Sequence, residues 1–570
     1  MESTALMITS TRLLVFLALL SSAAATLARA EDCEETVLYN GKIATMDQRD
    51  TMASSITIKG DRIVAVGTSP GIPKRDSCAT LIDLKGRRAI PGLIDSHNHI
   101  VVVSLRPGRD VRLDITSSID EVKQLLHQKA ATLPPGSWIT AVGGWSPPQF
   151  AENRMPTLAE LDSAAPGYPI YIQSGFDGPA ATNTLGKTFF EKRRVKVGDD
   201  GTIDANAPTI AAYGALESMR TFADAKRGAM DVMAYAASLG LTMSDDKGGS
   251  WPVDTLGSQG VADTANRTNN INPFTGYDHF LALGREGRMS MRLRIFFYMQ
   301  DLHADLPFLN ARVNNQFHDF GDDWIKVSGL GERIYSGGFP FTPNASPQVY
   351  EAAARLTAQR GWAHDEHAAG LADEKAFTEV WEKIDKDFPL APLRWSLAHV
   401  PGIDLDTLHR LQAMGVGVSA AGSRYIASTP PRTSPKDISP FRLLIESGIH
   451  VGYGSDGGTV SALNPWAHMY YMVTGKNNAG QLVAAGQTIS RMQALRMYTA
   501  SQPWFTREED KLGSIEVNKL ADIAVLSEDF LDPSKVPDEA IKHITSVLTI
   551  VGGKTVYDSG ILHAATPGRH

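Results

Sequence analysis

Six residues with metal-binding chemistry each close a short apolar run in this chain. They are His97 and His99 in Ile94-Asp95-Ser96-His97-Asn98-His99, then Lys326, His364, His399 and Asp456. Imidazole nitrogen and carboxylate oxygen are the donors that divalent ions such as zinc take. Residues two apart on a strand face the same way, so His97 and His99 are placed to chelate one ion. Lys326 sits in the apolar run Trp324-Ile325-Lys326-Val327. An ammonium buried there without a partner is costly. Lys326 therefore either snorkels to solvent or reacts with carbon dioxide to give a carbamate, an anion able to bridge two metal ions. His364 follows Gly361-Trp362-Ala363, and His399 follows Trp395-Ser396-Leu397-Ala398. Either alone would read as a hydrogen-bonded structural histidine, but two on successive units beside the first pair point to ligands. His367, three residues after His364, reads as a loop or helix-start histidine or else as a site residue, while His127, His409 and His450 read as structural. Asp456 ends the run Gly454-Ser455-Asp456, ahead of Gly457-Gly458. A carboxylate there reads as a turn residue, or as a metal ligand that also accepts a proton from water.

The elements around these residues alternate. Helix-like stretches at 347–360, 374–387, 404–414 and 441–447 each precede an apolar run. Repeated units of this kind predict a parallel sheet. The order of the candidate ligands suits a (β/α)8 barrel, whose catalytic groups gather at the C-terminal ends of its strands. Ser118 and Glu121 form a capping-box pattern ahead of Ile119, Val122, Leu125 and Leu126. Residues 35–90 and the last 60 read as short strands broken by Asn-Gly and Gly-Gly turns. The expected organisation is a leader at 1–30, sandwich strands at 31–88, the barrel at 89–505 and further sandwich strands at 506–570. Both chain ends would then build one small composite β-sandwich.

Composition excludes some classes. The net charge of -8 over 570 residues gives no basic patch for nucleic acid. Arg12, the apolar run Leu13 to Leu20 and the Ala28-Arg29-Ala30 site form an export signal. No later run is long enough to insert in a membrane, so the mature chain is expected to be periplasmic or secreted. The two cysteines, Cys33 and Cys78, are expected to pair in that oxidising setting. The bond would add about 4 kcal/mol in the chain-entropy model. Trp145, Phe176 and Tyr335 fall in loop-like segments and could line a pocket for a small-molecule substrate, or be ordinary core and surface aromatics. Self-association is left open by the sequence.

Several of these segments resemble the amidohydrolase superfamily, and within it the family 3 branch that contains the N-substituted formamide deformylases. The resembling segments are Asn40-Gly41-Lys42-Ile43, Gly60 to Gly67, Ala89 to His99, Arg154-Met155-Pro156-Thr157, Gly454-Ser455-Asp456 with Asn464-Pro465, and Lys511 to Asp522. The resemblance implies a metal-dependent barrel with a composite sandwich, hydrolysing a non-peptide C–N bond. It implies one or two ions, zinc foremost. His97 and His99 would hold the more buried ion, carbamylated Lys326 would bridge, and His364 and His399 would hold the second. Asp456 would be ligand and general base, with His399 also catalytic. The chain departs from the branch at two places. Asp177-Gly178 is followed by Pro179 before Asn183, and Lys326 lacks the Asp-Gly that usually follows it. Asp177, Asn183 and Trp145 are candidate substrate contacts, and Glu332 or Arg333 could replace the missing polar group. An ester, lactone or deamination substrate, or a secreted binding protein on a retained barrel, are the competing readings.

Overall fold

The computed structural model describes residues 34–69, 72, 74–76, 78–249, 275–299, 301, 304–335, 346–422 and 438–563. The leader at 1–30 and Cys33, hence the expected disulfide to Cys78, lie outside the described residues. Eight parallel strands form the central sheet: β1 (Leu93–Asn98), β2 (Leu241–Asp246), β3 (Arg292–Phe297), β4 (Ile325–Glu332), β5 (Ala363–His367), β6 (Ser396–His399), β7 (Gly417–Ala420) and β8 (Val451–Tyr453). Neighbours in sequence are neighbours in space, as a right-handed αβ winding requires. The ring closes just past the strand ends. The Asp456 N–H donates to the His97 carbonyl at 2.8 Å, and the His99 N–H to the Gly457 carbonyl at 2.9 Å. Gly454 permits this approach, since a Cβ there would lie 2.2 Å from that of His97.

Strand polarity follows the sequence. β1 runs from Leu-Ile to Asp-Ser-His-Asn, and β2 from Leu-Thr-Met to Ser-Asp-Asp, all buried. Because all eight strands point the same way, their polar C-terminal halves gather at one mouth. Helices Pro347–Gln359, Leu371–Asp385, Leu405–Ala413 and Phe441–Ser447 return the chain between the later strands. Ser346 and Asp404 cap two of them.

The interval between β1 and β2 carries a sheet of its own. Its strand order is Thr202–Ile203, Ala180–Thr182, Ile170–Gln173, Ile139–Val142, Arg109–Asp110. Helix Ile119–Ala130 packs Ile119, Val122, Leu126 and Ala130 into a separate core there. Ser118 accepts the Glu121 N–H, as the capping pattern predicts. Away from the mouth, strands of both chain ends share a six-stranded sheet, in which Ile523–Leu526 pairs antiparallel with Arg88–Pro91. Residues 35–83 also form a separate four-stranded sheet, which packs against the six-stranded one. Leu38, Ile56, Ala89, Ile523 and Val547 meet in one apolar cluster. Among the described residues no helix is long and apolar enough to cross a membrane.

Two buried ion pairs tie the barrel to the C-terminal segment. Arg292 and Arg294 of β3 each grip a carboxylate through two nitrogens, Asp522 at 2.7 and 2.8 Å and Glu508 at 2.7 and 3.0 Å. Removing one partner strands a buried charge. Arg294→Ala is therefore expected to destabilise the fold by about 3–5 kcal/mol in denaturant unfolding, and the double Arg294→Met/Glu508→Leu replacement by clearly less. A single substitution costing under about 1 kcal/mol would contradict this picture of the pair.

Candidate metal centre

Six side chains from the barrel mouth converge. His97 stands one residue before the end of β1, and His99 follows that strand. Glu332, His367 and His399 end β4, β5 and β6, and Asp456 follows β8. Glu332 lies at the centre. Its Oε2 is 3.2 Å from His97 Nε2, 3.3 Å from His399 Nε2 and 2.6 Å from His367 Nδ1. Its Oε1 is 3.8 Å from His99 Nε2, which is 3.2 Å from Asp456 Oδ1. A tetrahedral shell with bonds of 2.0–2.1 Å spaces its ligand atoms about 3.3 Å apart. Two overlapping groups fit such a shell: His97, His99 and Asp456, and His97, Glu332 and His399. The His97 Nε2 is buried and makes no well-aligned hydrogen bond among the described residues, although Glu332 Oε2 lies 3.2 Å away. A buried imidazole nitrogen left free to donate its lone pair fits a metal-ligand position. His399 and Asp456 both sit at positive φ, 69° and 52°. That strained backbone at two non-glycine residues turns the strand ends into the mouth.

The electrostatics of the cluster favour a cation. Burial opposes charge on His97, yet Asp365 and Glu332 override it and push the imidazole up to about 10. Burial likewise opposes charge on His99, and Asp456 and Glu332 push it up to about 9. Burial works against the charge on Asp456 too, but His99, His399 and His97 hold it down at about 2. Glu332 is held well below the usual carboxylate range, its burial outweighed by His367, His399 and His97. The carboxylates therefore call for positive charge among them, which either protons or a divalent ion can supply. His367 is different: burial pulls it down to about 4, leaving a neutral imidazole beside Glu332. Hydrogen bonds on the far ring nitrogens aim the first pair. His97 Nδ1 is 2.9 Å from Asp365 Oδ2, and His99 Nδ1 is 2.7 Å from the Gly248 carbonyl. Both Nε2 atoms then face the centre. Asp95 accepts from the backbone N–H of His97 and of Ser455, fixing β1 to the Asp456 loop.

Two expected ligands do not reach this point. Lys326 is the second residue of β4, six residues before Glu332, which places it about 20 Å down the strand. Its Nζ pairs with Asp319 at 3.2 Å and donates to the Thr506 carbonyl. Lys326 thus stays outside the cluster, and Glu332 takes the central place. His364 faces away from the mouth. Its Nε2 lies 3.0 Å from Glu366, and its ring sits between Trp381 and Trp395. Alternation along β5 puts His364 and Glu366 on one face and Asp365 and His367 on the other. His367 is thus the inward histidine of β5, a choice between the two that follows from where the strand begins.

The expected substrate contacts are spread out. Trp145 is buried in the insertion, stacked on Phe150 at 5.4 Å. Asn183 caps helix Thr184–Glu191 by accepting the Gly186 N–H. Asp177 and Phe176 lie in the turn between two insertion strands, where the Asp177 carbonyl accepts from Asn206. Tyr335 is buried beyond β4, and Arg333 stands next to Glu332. The insertion does reach the mouth through its backbone, where the Gly144 N–H donates to the Thr459 carbonyl at 3.0 Å.

The model of the amidohydrolase family matches residues 80–557. An N-substituted formamide deformylase from Arthrobacter pascens is 23% identical over 544 residues, covering 87% of this chain and 94% of that one. An uncharacterized metal-dependent hydrolase structure from Pyrococcus horikoshii OT3 superposes with a TM-score of 0.56 at 18% identity, over 87% of this chain and 98% of that one. Atrazine chlorohydrolase from Arthrobacter aurescens TC1, solved in complex with zinc, gives 0.51 at 15% identity over 92% and 95% of the two chains. Likeness at these identities shows a shared fold.

The geometry separates the ligands from the bystanders. Glu332→Ala and His367→Ala are each expected to weaken zinc binding about tenfold or more in chelator competition. Lys326→Ala and His364→Ala are expected to leave it unchanged in folded protein. Zinc loss on replacing Lys326 but not Glu332 would reverse the assignment.

Proposed function

The chain belongs to the amidohydrolase family, a metal-dependent hydrolase of carbon–nitrogen bonds, and we propose that it cleaves the C–N bond of N-formyl or N-acyl amines. The meeting of Glu332 with His97, His99, His367 and His399, beside Asp456, carries this reading. The formamide deformylase relative supports the substrate class. His97, His99 and Asp456 would hold the first ion. Glu332 would reach from it towards His367 and His399, where a second ion would sit. Zinc is the proposed metal, from the imidazole-rich donor set. A divalent ion there supplies Lewis acidity, bringing the pKa of bound water from 15.7 towards about 7 and polarising a carbonyl.

The residues then divide the remaining work. Asp456 is ionised at neutral pH, held so by His99 and its fellow histidines. Its carboxylate takes the proton of the attacking water and returns it to the leaving nitrogen. His99 Nε2 and Asp456 Oδ1 stand 3.2 Å apart, the spacing of two ligands that would share the first ion. His399, on its strained backbone, turns Nε2 to the same centre, where it would hold the second ion beside Glu332. The wall beneath the mouth is buried along the whole of β1, β2 and β3. We also propose export: the pattern Ala28-Arg29-Ala30 supports cleavage of a leader.

The test is a panel of N-formyl and N-acyl amines, with acid, amine and ammonia measured separately. Equal release of acid and amine is expected. Ammonia without acid would replace amide hydrolysis by deamination, and no turnover of any member with zinc bound would overturn the reading. Asp456→Asn is expected to lower kcat about 10²-fold or more with the circular dichroism spectrum unchanged. A fully active variant would remove Asp456 from proton transfer.

A further inference from the structure

Behind His97, Asp365 is joined to a buried lysine that plays no part in the chemistry above. Lys247 directly follows β2, and its backbone N–H donates to the Asn98 carbonyl at 2.8 Å. Its side chain is only 2% exposed, so it does not serve the solvent-facing mouth. The ammonium lies 3.3 Å over the Phe296 ring and 3.4 Å from Asp365 Oδ2. The same Oδ2 is 2.9 Å from His97 Nδ1, while Oδ1 accepts the Ser396 hydroxyl at 2.5 Å. Asp365 therefore has donors on three neighbouring elements: β1, the end of β2, and β6.

We propose that Lys247 is a positioning residue that acts through Asp365 to fix which nitrogen His97 offers to the metal. This rests on the metal-site reading above. The argument is one of charge and geometry. Asp365 lies one side chain away from the carboxylates of Glu332 and Asp456, in a buried cluster. An uncompensated carboxylate there is costly. It would be relieved by turning to another donor, and the imidazole would be free to follow. Lys247 supplies a matching charge at the same Oδ2 that His97 uses, and the Phe296 face holds the ammonium in place. Asp365 is then held at both oxygens, His97 keeps its proton on Nδ1, and Nε2 stays turned inward. Ser396 completes the clamp but brings no charge.

The test is zinc affinity of the full chain by chelator competition, followed by activity. Lys247→Met keeps the bulk and the apolar contact with Phe296 but removes the charge. It is expected to weaken zinc binding about 10–100-fold, and Asp365→Asn by a similar factor. The double variant is expected to be no worse than Asp365→Asn alone, because the lysine acts through the aspartate. Lys247→Arg is expected to recover most of the affinity. Excess zinc should restore kcat in Lys247→Met, which a group touching substrate would not allow. Multiplying losses in the double variant, or Lys247→Met with wild-type affinity, would overturn the proposal. If Lys247→Met fails to fold, Lys247→Gln takes its place under the same criteria. Wild-type protein that binds no zinc would instead overturn the metal-site reading itself.

Discussion

The first and last barrel strands meet through backbone hydrogen bonds made by the candidate ligands themselves. The Asp456 N–H bonds the His97 carbonyl, and the His99 N–H bonds the Gly457 carbonyl. Closing the sheet and assembling the site are therefore one event. His97 and Asp456 lie at opposite ends of the barrel sequence, yet the seam sets their separation within a hydrogen bond. Gly454 makes this approach possible, and Asp95 reinforces it by accepting from Ser455. The rest of the mouth follows from parallel strands ending at one level, which brings Glu332, His367 and His399 onto the same ring.

Buried charge is the second constraint. Glu332, Asp365 and Asp456 sit within reach of His97 and His99, in a setting where an unbalanced ion is expensive. The imidazoles are pushed up and the carboxylates held down by each other. Such a cluster suits a cation that can replace the imidazolium protons. Metal binding is then linked to proton release, as the need for neutral imidazole ligands requires. Lower in the barrel the charge is balanced within the protein, by Arg292 with Asp522 and Arg294 with Glu508. The contrast between self-satisfied pairs below and a mutually perturbed cluster above marks where function lies.

Much of this was legible in the residues. The His-x-His pair, the small-residue run to Asp456 and the alternating αβ units pointed to a barrel and to one end of it. The two misplaced ligands have physical explanations. Lys326 sits in the apolar run 324–327, yet β4 runs on through Gly329 and Gly331. In the fold both are crowding solutions. A Cβ at Gly329 would lie 2.5 Å from the Phe296 ring, and one at Gly331 would lie 2.8 Å from the Asp365 carbonyl. The strand continues through them to Glu332. In β5 the nearer histidine was chosen over the inward one, since parity depends on where a strand begins and that boundary is not written locally. The insertion between β1 and β2 was hidden for a related reason. Its helices and short strands alternate just as barrel units do, and only the pairing of Ile139–Val142 with Ile170–Gln173 sets them apart.

The central claim is that Glu332, and not Lys326, completes a centre built on His97, His99 and Asp456. Anomalous diffraction at the zinc edge, from crystals grown with zinc and bicarbonate, tests it most directly. The account predicts a peak at bonding distance, about 2.0–2.2 Å, from Nε2 of His97 and His99 and from the Asp456 carboxylate. Glu332 should lie beside it and Lys326 remain unmodified. A peak bonded to a carbamate on Lys326, or to His364, would contradict it.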